Sequence, residues 1–480
     1  MPLPVDERAA AVTEAERRLA GPGLTVPSDA PSPEALERDW GDEARRGLDA
    51  VRGDIDGRRL GIAISGGGSL GSFEAGALRF IYDHLAASPV AVTGNSAGAL
   101  NAAKLAHGDH DGVRAIDEVE RIWRGMRLNQ DMWEPEPWLE KIMASAQWAA
   151  AIRAQPNGSG HSAGAMRVAV RVINSFVRRP EETDGTIDAI KDALKAQSLL
   201  SLQPVADLIA TELDLDQVAR SGIELRVGAV ALESGELRYV DQHGLLHDRQ
   251  GALLPLPKVP LADAILASAS IPVAFPPVLL GDEHYVDGGA REILPLQVLV
   301  EDLEVDRAIA ISAGTTAIEP TTSFTHRGIF DIMRRVTSEI GPNETLRKEL
   351  SPPGGWNEHV RLIIPEIEVH DTMTIDPALI AISFDYGWMH AADVLLGLDT
   401  ATARLTEEIS ETRIALRRLD GPVPALLGRD PAEAPLSSGI TESGWVDGVD
   451  TLTARLREQV RARRDAGGPL PPSLVVWSRT

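Results

Sequence analysis

The chain has 480 residues, 43% of them hydrophobic, and carries a formal net charge of −24. That charge excludes a nucleic-acid partner held through phosphates and any broad attraction to anionic bilayers, while the apolar content is ample for a buried core. With no cysteine, disulfides and thiolate metal sites are excluded as well, although the compartment is not thereby decided.

Residues Met1 to Arg8 lack a basic stretch followed by an apolar core, so no secretory signal is expected. The apolar stretch Ala264 to Leu280 is broken by Pro272, Pro276 and Pro277, so no transmembrane segment is expected either. A cytoplasmic location is expected, with export by a route without a cleaved signal left open. Val5 to Leu19 and Pro33 to Val51 read as two polar helices separated by Gly and Pro. Residues 1–57 are taken as an N-terminal helical arm without chemistry.

One unit then occurs twice in succession. Leu60-Gly61-Ile62-Ala63-Ile64 is a short apolar run that ends in Gly66-Gly67-Gly68-Ser69-Leu70-Gly71, and Phe73, Ala77, Phe80, Ile81 and Leu85 follow at helical spacing. Pro89 to Thr93 reads as a second buried strand, ending in Gly94-Asn95-Ser96-Ala97-Gly98 before a small-residue helix, Ala99 to Ala106. Gly66, Gly68 and Gly71 fit the G-x-G-x-x-G of a dinucleotide fold. A nucleotide site also wants a carboxylate at the tip of the second strand for the ribose hydroxyls, and Thr93-Gly94-Asn95-Ser96 has none.

What stands at that tip is the G-x-S-x-G of a nucleophile elbow, whose glycines allow the turn that lifts a serine hydroxyl above the sheet edge. A chance match is the alternative for G-x-S-x-G alone; the strand-turn-helix context favours the elbow. It also gives the first loop another task, since unobstructed backbone N–H groups can form an oxyanion hole for acyl transfer.

Further along, His107-Gly108-Asp109-His110-Asp111 has the composition of a metal cluster. It lacks a helical i, i+4 frame and reads as a solvated turn, so no metal is predicted. Ile116 to Met126 reads as a surface helix with Val119, Ile122 and Trp123 inward. Residues 137–179 end in a basic amphipathic segment with Arg167, Arg171, Arg178 and Arg179. It reads either as a lid or transient membrane-surface contact, or as an ordinary helix with a solvated basic face.

Leu194 to Leu202 and Val205 to Val218 suggest short helices, Glu224 to Leu232 a strong strand, and Glu236 to Gln242 its return. Ala262 to Ala269 reads as a helix, and Arg307 to Ser312 and His359 to Ile364 as further strands. The alternation predicts an α/β fold with a mostly parallel sheet. Pro377 to Leu396 is a predicted apolar helix. Thr400 to Leu419 and Val449 to Arg464 are charged helices flanking a proline-rich stretch, Gly421 to Ser438. The charge pattern is that of solvated helices, with partner binding as the alternative.

An unassisted serine is a weak nucleophile and needs a base from elsewhere in the chain. The candidate is Asp287 in Tyr285-Val286-Asp287-Gly288-Gly289, preceded by Ala267-Ser268-Ala269-Ser270-Ile271-Pro272-Val273-Ala274-Phe275-Pro276-Pro277. An ordinary hairpin turn is the alternative for Asp-Gly-Gly alone.

Taken in order, the glycine loop, the elbow, the Ala-Ser-x-Ser-Ile-Pro-x-x-Phe-Pro-Pro stretch and Asp287-Gly288-Gly289 resemble the patatin-like phospholipase family. The resemblance covers Arg58 to Val300 clearly and continues weakly to about Leu398. It implies a three-layer α/β/α fold over residues 58–400, with residues 401–480 as a C-terminal helical tail. It further implies a lipid acyl hydrolase with a serine–aspartate dyad and no cofactor: Ser96 as nucleophile, Asp287 as base, Gly66, Gly67 and Gly68 as oxyanion loop, and Gly71, Gly94, Gly98, Gly288 and Gly289 as motif glycines. The chain departs from the family's G-G-G-x-R-G at Leu70, and Ser65 stands where some members carry an aspartate. The first departure leaves the loop amides available but puts the handling of anionic substrates in question.

A Ser-Asp-His triad needs a histidine after the acid, and His326, His359, His370 and His390 are available by order. None has a loop signature. The expected activity is phospholipase A or carboxyl esterase. The alternatives are an acyltransferase using the same dyad, or a sensor or interaction protein built on the hydrolase fold.

Overall fold

A computed structural model describes residues 9, 10, 13, 24–143, 196–419 and 442–479, apart from 29, 319, 321–322, 326–331, 333–334, 353–354 and 357–358. The basic segment at 167–179, the first predicted polar helix apart from residues 9, 10 and 13, and the proline-rich stretch at 421–438 lie outside the described residues. The second polar helix is interrupted. Pro33–Arg38 and α1 (Asp42–Ile55) are separated at Gly41, whose N–H bonds the Gly467 carbonyl at 2.9 Å. A Cβ on Gly41 would lie 2.8 Å from the Gly467 Cα, so this backbone contact needs glycine.

The repeated unit forms as read. β1 (Leu60–Ile64) leads through the glycine loop into α2 (Gly71–His84), and β2 (Ala91–Gly94) leads into α3 (Ala97–His107). Both strands are buried on both faces, which is why they read as unbroken apolar runs. After α4 (Ala115–Gly125) and α5 (Gln203–Glu212) come β3 (Glu224–Ala231), β4 (Leu237–Asp241) and β5 (Leu246–His247). The predicted helix Val205 to Val218 is two helices, divided at Leu213 and Asp214, where Asp214 caps a second short helix through the Gln217 N–H. Its neighbour departs further: Leu200–Ser201 is a two-residue strand, not helix.

Then follow α6 (Leu261–Ser268), the hairpin β6 (Val278–Leu280) and β7 (Glu283–Asp287), α7 (Leu296–Glu301), β8 (Arg307–Ile311) and β9 (Val360–Ile363). The sheet order is β9-β8-β1-β2-β3-β4-β5, parallel from β9 to β3 and antiparallel beyond. β2 pairs one edge of β3 over Glu224 to Val227, and β7 takes over that edge from Ala229 to Ala231. The place vacated where β2 ends is therefore filled by the end of β7. This is a mixed α/β sheet with helices flanking it.

α8 (Pro377–Leu396) is buried almost all round and crosses α2 backbone to backbone. A Cβ on Gly76 would lie 1.8 Å from the Phe384 carbonyl oxygen, and one on Gly387 1.9 Å from that of Phe73. The charged faces of α9 (Thr400–Leu419) and α10 (Glu442–Asp465) are not simply solvated. Arg413 meets Asp385 at 2.8 Å, Arg463 meets Asp393 at 2.7 Å, and Arg417 pairs with Asp376, the N-cap of α8, all six side chains being buried.

Candidate active site

At the end of β2 the chain turns so sharply that Ser96 adopts φ 54° and ψ −128°. A non-glycine residue in that region is strained by about 1–3 kcal/mol and persists only where its surroundings over-determine it. Here they do. A Cβ on Gly94 would lie 2.2 Å from the Gly98 carbonyl oxygen, and one on Gly98 would lie 2.2 Å from that of Ser65, so only bare backbone closes the turn. Asn95 braces it by donating to the Glu292 carbonyl at 2.7 Å and accepting the Gly228 N–H at 3.1 Å. The Ser96 N–H is donated to Ser268 Oγ at 3.0 Å.

Asp287 ends β7 and so arrives beside Ser96 by strand exchange on β3. Its N–H bonds the Ser270 carbonyl at 2.9 Å, and its Oδ1 accepts the Gly289 N–H at 2.7 Å. The Ser96 hydroxyl faces the same carboxylate and favours its anion. Burial lifts the Asp287 pKa from 3.8 to about 6, outweighing the two hydrogen bonds that favour the anion. The group is ionised at neutral pH yet basic enough to accept a proton. Gly288 lets this loop pass close, since a Cβ there would lie 2.6 Å from the Gly228 carbonyl oxygen and 2.9 Å from the Asn95 side chain.

The glycine loop approaches Ser96 from β1. A Cβ on Gly66 would lie 2.9 Å from that of Ser96, which explains the glycine. The Gly66 N–H, however, is donated to the Ile293 carbonyl at 3.1 Å. Among the described residues the amides of Gly67 and Gly68 have no hydrogen-bond partner, which makes them the free donors of the loop. Gly68 has φ +56°, and its neighbour Ser69 donates its N–H to the Thr372 carbonyl at 2.9 Å. Gly71 opens α2 against Ala97 and Trp123, and Leu70 is buried.

Beneath the loop, Ser65 Oγ donates to Glu74 at 3.1 Å and accepts the Ala313 N–H at 2.8 Å. Asn101 bonds the other Glu74 oxygen at 3.1 Å, and burial holds the Glu74 carboxyl well above the usual range.

The histidines have other work. His370 faces the hydroxyls of Ser69 and Ser72 at 3.3 and 3.5 Å, and His390 Nε2 donates to the Ile364 carbonyl at 2.8 Å. His359 precedes β9, at the opposite end of the parallel sheet from Ser96. His326 lies outside the described residues. Among the described residues neither Ser96 nor Asp287 is hydrogen-bonded to a histidine.

A narrow apolar cleft with about 40 Å³ of free space, open to solvent, begins at Ala97 and runs between α3, α4 and α5 past Leu100, Trp123, Met132 and Ile209. No helix among the described residues is long and apolar enough to cross a membrane. The expectation of a solvated turn after α3 does not hold for His107. That residue closes the helix and is 3% exposed.

Sequence reasoning missed Ser268 and Asn95 as supports of the elbow. Ser268 stands in the quoted Ala-Ser-x-Ser stretch, but nothing local signals that its hydroxyl meets the Ser96 amide.

Residues 62–300 match the family described as Patatin-like phospholipase. Among solved structures the chain is similar to VipD from Legionella pneumophila, at 13% identity and a TM-score of 0.37, over 88% of this chain and 90% of that one. It is also similar to human GIVD cytosolic phospholipase A2 in complex with methyl gamma-linolenyl fluorophosphonate, at 9% identity and a TM-score of 0.25. That match covers 62% of this chain and 50% of that chain. No curated protein sequence matches.

Proposed function

The chain carries a patatin-like phospholipase domain over residues 62–300, and on that premise we propose that it is a lipid acyl hydrolase working through an acyl-serine intermediate, with Ser96 as nucleophile and Asp287 as base. Asp287 takes the hydroxyl proton as Ser96 Oγ attacks the ester carbonyl, whose π electrons move to oxygen. The amides of Gly67 and Gly68 receive that oxyanion. Collapse breaks the ester bond, and the departing alkoxide takes the proton back from Asp287 to leave as an alcohol or lysolipid. Water then gives a proton to Asp287 and attacks the acyl carbon. Fatty acid leaves and Ser96 recovers its proton.

The observation that carries this reading is the Ser96 hydroxyl facing a buried carboxylate at a strained elbow, with no histidine bonded to either group among the described residues. The apolar lining of the narrow cleft that begins at Ala97 matches the polarity of an acyl chain. The test is hydrolysis of short- and long-chain acyl esters and a phospholipid panel, beside Ser96→Ala and Asp287→Asn. Both variants should lose activity while His370 and His390 substitutions retain it. A wild type silent on every ester and unlabelled at Ser96 by a fluorophosphonate would sink the proposal.

A further inference from the structure

At the far end of α3 from Ser96, about 16 Å along the helix, His107 presents an unexplained buried imidazole. It is 3% exposed, and among the described residues neither ring nitrogen has a hydrogen-bond partner. Native structures leave few such groups unpaired, and each calls for a water, an ion or a partner. The His110 ring stands edge-on to it with centroids 4.2 Å apart. His110 Nδ1 donates to the Gly108 carbonyl at 3.1 Å, which sets the tautomer and leaves Nε2 with a bare lone pair. Glu118, in the first turn of α4, brings a carboxylate to within 4.0 Å of His107 Nδ1. One ligand atom from each of the three residues lies within 4.8 Å of the others.

We propose that His107, His110 and Glu118 form a binding site for a zinc-class divalent cation that clips the end of α3 to the turn after it and to α4. Two imidazoles and one carboxylate suit Zn²⁺ and its neighbours, whereas Ca²⁺ and Mg²⁺ take oxygen ligands throughout. Bonds of about 2.0–2.2 Å require the three side chains to draw in, and His110, on a half-buried turn, has the freedom to do so. A water completes the fourth position.

Lys104 is the competing cation. Its ammonium sits 2.8 Å from Glu118 Oε2 and donates to the Glu212 carbonyl at 2.7 Å. Glu118 Oε2 is the same oxygen that faces His107 Nδ1 at 4.0 Å, so the metal has to displace the ammonium from it, while Arg121 stands 4.0 Å from the other oxygen. The third ligand of this site comes from the next helix, so the site does not need a helical i, i+4 frame.

The test uses the full chain after chelator treatment, titrated calorimetrically with Zn²⁺ and spectroscopically with Co²⁺. One Zn²⁺ should bind per chain, and Co²⁺ should give the intense visible absorption of a four-coordinate ion. His110→Ala and Glu118→Gln should each weaken Zn²⁺ binding by about tenfold or more, and Lys104→Met should tighten it. His110 is only half buried, so its variant should keep the wild-type circular dichroism and give a clean comparison. No stoichiometric uptake by the wild type, or uptake that both His110→Ala and Glu118→Gln leave unchanged, would overturn the proposal. Neither readout depends on hydrolysis, so the result stands apart from the proposed activity.

Discussion

Asp287→Asn should abolish hydrolysis and should stabilise the protein increasingly as pH rises above about 4. Burial raises the Asp287 pKa from 3.8 to about 6. That shift of about 2 units corresponds to about 3 kcal/mol of differential stability. Below pH 3.8 the carboxyl is protonated in both folded and unfolded chains, and its burial carries no ionisation penalty. As pH rises from 3.8 to 6 the unfolded chain releases the proton first, so the folded state progressively loses about 3 kcal/mol. Asparagine has the shape of the neutral acid, can keep the bond from the Gly289 N–H, and does not ionise.

Thermal or urea unfolding of wild type and variant from pH 4 to pH 8 isolates this one group, because every other titration cancels between the two. The stability gap should be near zero at pH 4 and about 2–3 kcal/mol in favour of the variant at pH 8. A gap that does not widen across that range, or a variant less stable at pH 8, would refute the reasoning.

The same carboxylate should set the acid limb of the pH–rate profile: kcat/KM falls with a one-proton slope below an apparent pKa near 6, and a limb that moves on His370→Ala would point to another base. Gly98→Ala, in spite of alanine's better helix propensity, should lose about 3 kcal/mol in urea unfolding, because its Cβ would lie 2.2 Å from the Ser65 carbonyl oxygen. Asp385→Ala leaves the Arg413 guanidinium, 1% exposed and 2.8 Å from the lost carboxylate, without that ion pair. Thermal denaturation should show a loss of about 3–5 kcal/mol, whereas Asp385→Leu with Arg413→Met should recover only part of it, because Arg124 and Ser473 also lose the carboxylate.

The elements nearest the chemistry were legible because their signals are local. β1, β2 and the helices after them are strands buried on both faces that end in glycines, and the conflict that forbids a Cβ on Gly94 arises within five residues. The helix Pro377–Leu396 was equally plain, since an apolar run of that length is buried whatever it packs against. The charged helices were misread for the opposite reason. An arginine on a solvated face and Arg413 facing Asp385 produce the same periodicity, and only the partner distinguishes them.

By itself, then, the sequence determined where a serine could be held strained at a strand end and that a glycine-rich backbone would lie beside it, because both follow from the space that a Cβ needs. The tertiary structure decided the rest. It brings Asp287 to Ser96 by letting β7 take the edge of β3 where β2 stops, gives the Ser96 amide to Ser268, and withdraws the Gly66 amide to Ile293. Each of these contacts joins segments far apart in the chain, and their distances depend on sheet order and register, which no local pattern encodes.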